Sequence, residues 1–241
     1  MSNFDGGIRV SSFVAGGIVP SSRRGGRYTG LVAVFDWYAS LCAMANVPIA
    51  DPSAEKAGLP PVDGLDLSVA LSLRSADGSG QQLRRELAIG TADAGMGFVA
   101  GMYYEPGGGK VGAAPLYKLL LGVVNQNAHS AALSPNRTEN ATLGFWGGSI
   151  AHPWKPDAYA LDCGHVGCLF DVRADPGEAH DLSQQAKGNG SGVIATVMAH
   201  MHDRVAEYRA TALLRLPGVR EPAACDVAMG RYGGFYGPWI P

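Results

Sequence analysis

No stretch of this sequence approaches the ~18 uninterrupted apolar residues that a membrane-spanning helix requires, so none is expected to organise the chain. Residues 1–30 also lack the basic-then-apolar pattern of a secretory signal peptide. Charged residues are sparse, at 17% against the usual ~25%. Those present are interspersed and leave a net charge of −2, which provides no electrostatic footprint for nucleic acid or an anionic membrane as partner. The basic cluster Arg23, Arg24 and Arg27, beside Gly25 and Gly26, reads as a solvated loop. Cysteine is scarce too, at four residues.

Glycine is plentiful: 34 residues in 241 is about twice the average ~7% usage. Many turns and long loops are expected, with few long regular helices. Apolar residues make up 46% of the chain, enough to bury the core of one large domain or two small ones. Three N-x-[ST] sequons, at Asn136, Asn140 and Asn189, accompany the cysteines and fit a glycoprotein of the secretory pathway. That context conflicts with the missing signal peptide. A chain that continues upstream of Met1 would reconcile the two.

The densest local pattern runs from Cys163 to Leu182. Leu169, Phe170, Asp171 and Val172 read as a short strand. The sequence Asp175-Pro176-Gly177 must then turn, because proline presets φ and glycine relieves crowding, and Glu178 to Leu182 leads toward a helix. Upstream, Phe4, Asp5, Gly6, Gly7, Ile8 and Arg9 precede an apolar run reaching Ala15, which is expected to be a buried strand. Arg9 is assigned to an ion pair or carbonyl contact that pins its loop. Leu31 to Phe35 reads as extended, Asp36 as the N-cap of a helix over Trp37 to Ala45, and Asn46 as its stop. After an insertion from Pro48 to Pro61, the sequence D-G-L-D-L at 63–67 should bury Leu65 and Leu67 in a helix or turn.

Further strands are expected at 84–89, 98–104 and 116–121, separated by loops such as Asp77-Gly78-Ser79-Gly80. With Leu169 to Val172 they make an antiparallel sheet of about four strands. Residues 122–162 read as a long surface excursion. Ile194, Val197, Met198, Met201, Val205 and Tyr208 recur at three- and four-residue steps, marking a long helix whose stripe should cover one face of that sheet. From Pro217 onward, glycines and aromatics suggest an extended tail packed on a surface.

Signals for chemistry are few. His200 and His202 invite a metal reading, but residues two apart on a helix point in opposite directions, so both are read as surface histidines, with His200 on the face away from the sheet. His129, His152, His165 and His180 lie in expected loops, none at an H-E-x-x-H spacing. Cys163 and Cys168 fit either half of a zinc site or a disulfide, and the sequon context favours the disulfide. No G-x-S-x-G supports a serine hydrolase. Gly107-Gly108-Gly109-Lys110 lacks the spacing and hydroxyl of a phosphate loop.

Several of these segments resemble the sulfatase family in order and spacing. The pattern L-[FY]-[DN]-[ILV]-x-x-D-P-x-E-x-x-D-L is matched by Leu169, Phe170, Asp171, Val172, Asp175, Pro176, Glu178, Asp181 and Leu182. Residues 4–9 resemble the family's aromatic-acidic-G-G-[IV]-R passage, which in sulfatases follows the lysine that contacts substrate sulfate. Residues 35–46 are similar to its [ST]-D-[WIL]-x-P-T-L-x-x-L-A-G segment, with alanine for the proline and Asn46 for the glycine. The D-G-x-[DS]-L, [PR]-R-x-E-[IL] and Y-K-L segments have counterparts at 63–67, 84–89 and 117–119. The tail Cys225-Asp226 followed by Gly233-Gly234-Phe235-Tyr236-Gly237-Pro238-Trp239 is similar to that of group B arylsulfatases.

The resemblance implies an α/β chain with part of the alkaline-phosphatase-like sulfatase fold. Residues 1–82 would be the C-terminal end of the catalytic core, with its last strand and helix, 83–216 an antiparallel-sheet subdomain, and 217–241 the tail. Asp5, Gly6, Gly7, Arg9, Asp36, Asp175, Pro176 and Asp181 would be structural motif residues rather than catalytic ones. Sulfatases need a Cys or Ser within C/S-x-P-x-R, converted to formylglycine, and acidic residues on calcium. Cys42, Cys163, Cys168 and Cys225 all lack that context. The resemblance therefore implies that catalytic residues, calcium and the partner of Cys225 belong to an N-terminal half. It places the complete protein in a secretory or lysosomal compartment, acting on aryl sulfates or sulfated carbohydrates. The competing expectation is a non-catalytic secreted module that binds carbohydrate or another protein.

Overall fold

The computed structural model describes residues 3–68, 70–71, 84–90, 99–107, 114–125, 160–186, 192–212 and 223–235. Strands β1 (Glu86–Gly90), β2 (Val99–Tyr104) and β3 (Tyr117–Leu120) follow one another in the chain, and β4 (Val123–Asn125) and β5 (Ala160–Asp162) precede β6 (Cys168–Asp171). One sheet has the order β1-β2-β3-β6, every pairing antiparallel, and β4 pairs with β5 separately. The fold is thus mixed α/β around a four-stranded antiparallel sheet, as the apolar runs implied.

All four residues of β3 are buried, although a strand with one solvated face would alternate. Both sides of the sheet are therefore covered. After the short helix α4 (Ser183–Ala186), helix α5 (Val193–Thr211) lays Val197, Met198, Met201 and Val205 against Val99, Met102, Tyr117, Leu119, Leu121 and Leu169. Ile194 and Tyr208 flank that contact, so the whole expected stripe faces the sheet. On the opposite side Phe4 and Leu31, from the N-terminal segment, join Ile89, Tyr103, Leu120, Val124, Phe170 and Val172. The period of two along β3 thus sends Tyr117 and Leu119 to the helix, and Lys118 and Leu120 to the N-terminal segment.

That N-terminal segment differs from its expected form. Residues 5–8 form a single helical turn, α1 (Asp5–Ile8), and the run to Ala15 is not a strand. Val10 and Phe13 are 82% and 88% exposed. Arg9, Ser11 and Ser12 interrupt the apolar pattern, and no described strand pairs with the run, so it stays irregular. Helix α2 (Asp36–Met44) forms as expected and stops at Asn46, whose φ of 56° is the left-handed conformation asparagine tolerates. Its buried residues are Asp36, Ala39 and Ser40, whereas Leu41 is exposed. The Asp36 carboxylate does not cap this helix.

The insertion contains α3 (Pro52–Lys56), whose true cap is Asp51, accepting from Ser53 and Ala54 N–H with proline at the first position. Segment 63–67 is irregular rather than helical, burying Leu67 but leaving Leu65 partly exposed. The region expected as an extended tail contains α6 (Ala223–Arg231). The 122–162 excursion begins and ends in the paired β4 and β5. The sequons Asn136, Asn140 and Asn189, the loop at 77–80, Lys110 and residues 236–239 lie outside the described residues.

Candidate functional site: buried ion clusters

Lys118 stands in the middle of a leucine-rich strand, and alternation aims it into the apolar side occupied by Phe4 and Phe170. An unpaired ammonium there would be prohibitively costly to desolvate. Two carboxylates meet it: Asp5 Oδ1 lies 2.8 Å and Glu178 Oε1 2.6 Å from Nζ. Lys118 is fully buried and Glu178 nearly so. Tyr103, its cross-strand neighbour on β2, donates its hydroxyl to Asp5 Oδ1 at 2.5 Å and places its ring 5.2 Å from Nζ. The Asp5 backbone N–H donates to Glu178 Oε2 at 2.6 Å, closing the cluster.

Its electrostatics are asymmetric. Burial pushes the Asp5 carboxyl upward, but Lys118 and the hydrogen bonds from Lys118 and Tyr103 outweigh burial and hold it below its ordinary value. Burial pushes Glu178 up as well. There Lys118 and the Asp5 N–H do not compensate, the Asp5 charge adds to the rise, and the group stays above its ordinary value. Burial and then the Asp5 charge also push the Tyr103 phenol up.

Glu178 reaches the cluster through an unusual backbone. The turn expected at 175–177 forms, with Glu178 N–H donating to Asp175 O at 3.0 Å. Glu178 itself adopts φ 51°, a left-handed conformation that a non-glycine residue takes only when its surroundings impose it. Asp175 Oδ2 accepts the His180 N–H at 2.7 Å, and Asp181 Oδ1 accepts those of Leu169 and Ser183, both at 2.9 Å. Asp175, Pro176 and Asp181 thus shape the loop that carries Glu178. Gly6 and Gly7 lie in α1, and Arg9 makes the expected ion pair, 3.5 Å from Asp5, with its side chain mostly in solvent.

Asp36 anchors a second cluster. Its carboxylate turns back to accept Ala33 N–H at 2.8 Å and reaches across to Leu65 N–H at 2.9 Å. Arg84 completes the set, with Nε 3.0 Å from Oδ2 and Nη2 on Oδ1, while its guanidinium lies 4.9 Å from the Phe35 ring centre. Segment 63–67 approaches α2 closely because of Gly64: a Cβ there would lie 2.5 Å from Phe35 O. A third pair joins the fully buried Glu105 to Arg173 at 2.6 Å.

Cys163 and Cys168 form the expected disulfide at the start of β6. Cys42 and Cys225 are free thiols. His200 departs from its expected isolation: Nε2 lies 2.9 Å from Glu86 Oε1, and the ring stacks 4.4 Å from Tyr104, so it touches the sheet edge. His202 Nε2 contacts Val166 O instead, confirming that the two rings diverge. Among the described residues, no group of three or more His, Cys, Asp or Glu side chains is placed to hold a metal ion.

The sequence pointed to Asp5 and Asp36 as structural residues but missed their partners, Lys118 and Tyr103 for the first and Arg84 for the second. A signal for Lys118 existed, since it is a lone charge in a run of apolar residues. The buried charges described here are each paired with another segment of this chain, so the clusters hold the chain together. A scan against protein-family models and a search of curated proteins find no match to the chain.

Proposed function

We propose that this chain is the C-terminal part of an arylsulfatase-like sulfuric ester hydrolase with part of the alkaline-phosphatase-like fold. One observation supports the reading most: the separate segments that resemble the family meet in space through their polar residues. Asp5, Lys118 and Glu178, from the G-G-[IV]-R, Y-K-L and D-P-x-E segments, share one buried cluster. Asp36, Leu65 and Arg84, from three further segments, share another.

In this reading the N-terminal half supplies formylglycine and the acidic calcium ligands, and the substrate is an aryl sulfate or sulfated carbohydrate. Metal and preorganised charge would then stabilise the transferring sulfuryl group, as electrostatic catalysis requires. The residues described here do not fit a calcium site, because Lys118 already occupies the Asp5–Glu178 pair. The exposed side chains of Val10, Phe13, Val34 and Leu41 fit a surface that the N-terminal half covers. A secretory compartment accords with the disulfide.

Co-expression with a sulfatase N-terminal half, assayed on a chromogenic aryl sulfate, tests the proposal. Recovered, calcium-dependent turnover supports it. A soluble co-expressed pair that neither associates nor turns over substrate contradicts it.

A further inference from the structure

Two carboxylates converge on one buried ammonium, and that stoichiometry has a consequence. With Asp5 and Glu178 both ionised, Lys118 neutralises only one of them, and like charges sharing a dry site raise the proton affinity of one. We propose that the Asp5–Lys118–Glu178 cluster is a latch that holds residues 4–9 against the sheet most firmly at mildly acidic pH and loosens as pH rises. The inference goes beyond the reading as a hydrolase and does not depend on it.

Glu178 is the group that titrates. It faces Lys118 from β3, Asp5 from α1, and the ring and hydroxyl of Tyr103 from β2. Arg9 sits behind Asp5, but its side chain is 70% exposed and its charge is screened by solvent. Tyr103 keeps its proton, because burial and then the Asp5 charge raise its affinity for it. Asp5 takes Lys118, the Tyr103 hydroxyl and Arg9, whereas Glu178 takes Lys118 and one backbone N–H, so burial leaves Glu178 the carboxyl with the raised proton affinity.

The direction follows from linkage. Burial leaves Glu178 above its ordinary 4.5 when docked, so its contribution is complete below that value and is lost as pH rises through the docked value. Asp5 is held below its ordinary 3.8, so its contribution is complete above that value and is lost as pH falls through the docked one. The latch is therefore strongest between the two transitions. Within segment 4–9, Asp5 is tied to the sheet and its loop directly: its carboxylate accepts from Tyr103 and Lys118, and its N–H donates to Glu178.

Amide hydrogen exchange on the intact chain between pH 4 and pH 8, corrected for intrinsic rates, reads the latch directly. Peptides covering residues 4–9 should lose protection as pH rises, by up to about tenfold per pH unit across the Glu178 transition, while β2, β3 and α5 keep theirs. Glu178→Gln, which is neutral at every pH, should flatten that rise. Protection of residues 4–9 that is constant with pH in the unaltered chain overturns the proposal, and that result needs no variant to fold. An unchanged pH profile in a folded Glu178→Gln chain overturns it equally.

Discussion

Arg84 forms a bidentate pair with Asp36, a carboxylate that has no contact with solvent. The same carboxylate accepts the backbone N–H groups of Ala33 and Leu65, so one side chain ties α2, the segment after α3 and the start of β1. Asp36→Ala leaves two backbone N–H groups and a guanidinium without their acceptor. It should lower stability by about 3–5 kcal/mol, the usual effect of removing one partner of a buried ion pair. Urea denaturation measures this, with Glu55→Ala on the exposed face of α3 as a control expected within about 0.5 kcal/mol of the parent.

The contact between α5 and the sheet separates two neighbouring positions. Met198 is buried among Met102, Leu119 and Leu169, and Met198→Asp should cost about 3 kcal/mol or more by burying an unpaired charge. His200→Asp, by contrast, sets a carboxylate beside Glu86 and removes the ring from Tyr104. This site is more than a third exposed and screened by water, so about 1 kcal/mol is expected. Equal effects in chemical denaturation would contradict the assigned face of α5.

Peptide mapping without reductant should recover Cys163 linked to Cys168, with Cys42 and Cys225 alkylatable in the isolated chain. The loop closed is short, so replacing both cysteines by serine should cost only about 2 kcal/mol. A Cys163–Cys225 linkage would contradict the arrangement at the start of β6.

Gly101 pairs with Leu120 across β2 and β3 with φ 156°, and a Cβ built there would lie 2.0 Å from the carbonyl oxygen of Leu119. The atoms it would meet are all backbone of β3, which cannot yield without breaking the pairing. Gly101→Ala should therefore destabilise the sheet by about 3 kcal/mol, whereas Gly6→Ala, which meets nothing within 4 Å, should stay within about 1 kcal/mol of the parent. Thermal melts of the two variants distinguish these outcomes.

Strands and the packed helix were legible because their signals are local. Val197, Met198, Met201 and Val205 declare a helical stripe by spacing alone, and the run around Leu119 declares a strand. The run from Ile8 to Ala15 misled because hydrophobicity marks a strand only when another strand pairs with it, and none of those described does. Asp36 looked like a helix cap by position, yet its partners Leu65 and Arg84 lie far along the chain. The partners of Lys118 were hidden for the same reason. Nothing next to a lysine in sequence reveals that Asp5 and Glu178 will arrive beside it from opposite ends of the chain.

The proposal that the chain supplies the scaffold of a sulfuric ester hydrolase and not its reacting groups is tested most directly by turnover. The purified chain, given a chromogenic aryl sulfate with and without added calcium, should release no chromophore above the uncatalysed rate. Every described buried charge is paired within the chain, and none of its four cysteines stands in a C/S-x-P-x-R context. Measurable release by the chain alone, abolished by a chelator, would contradict the account.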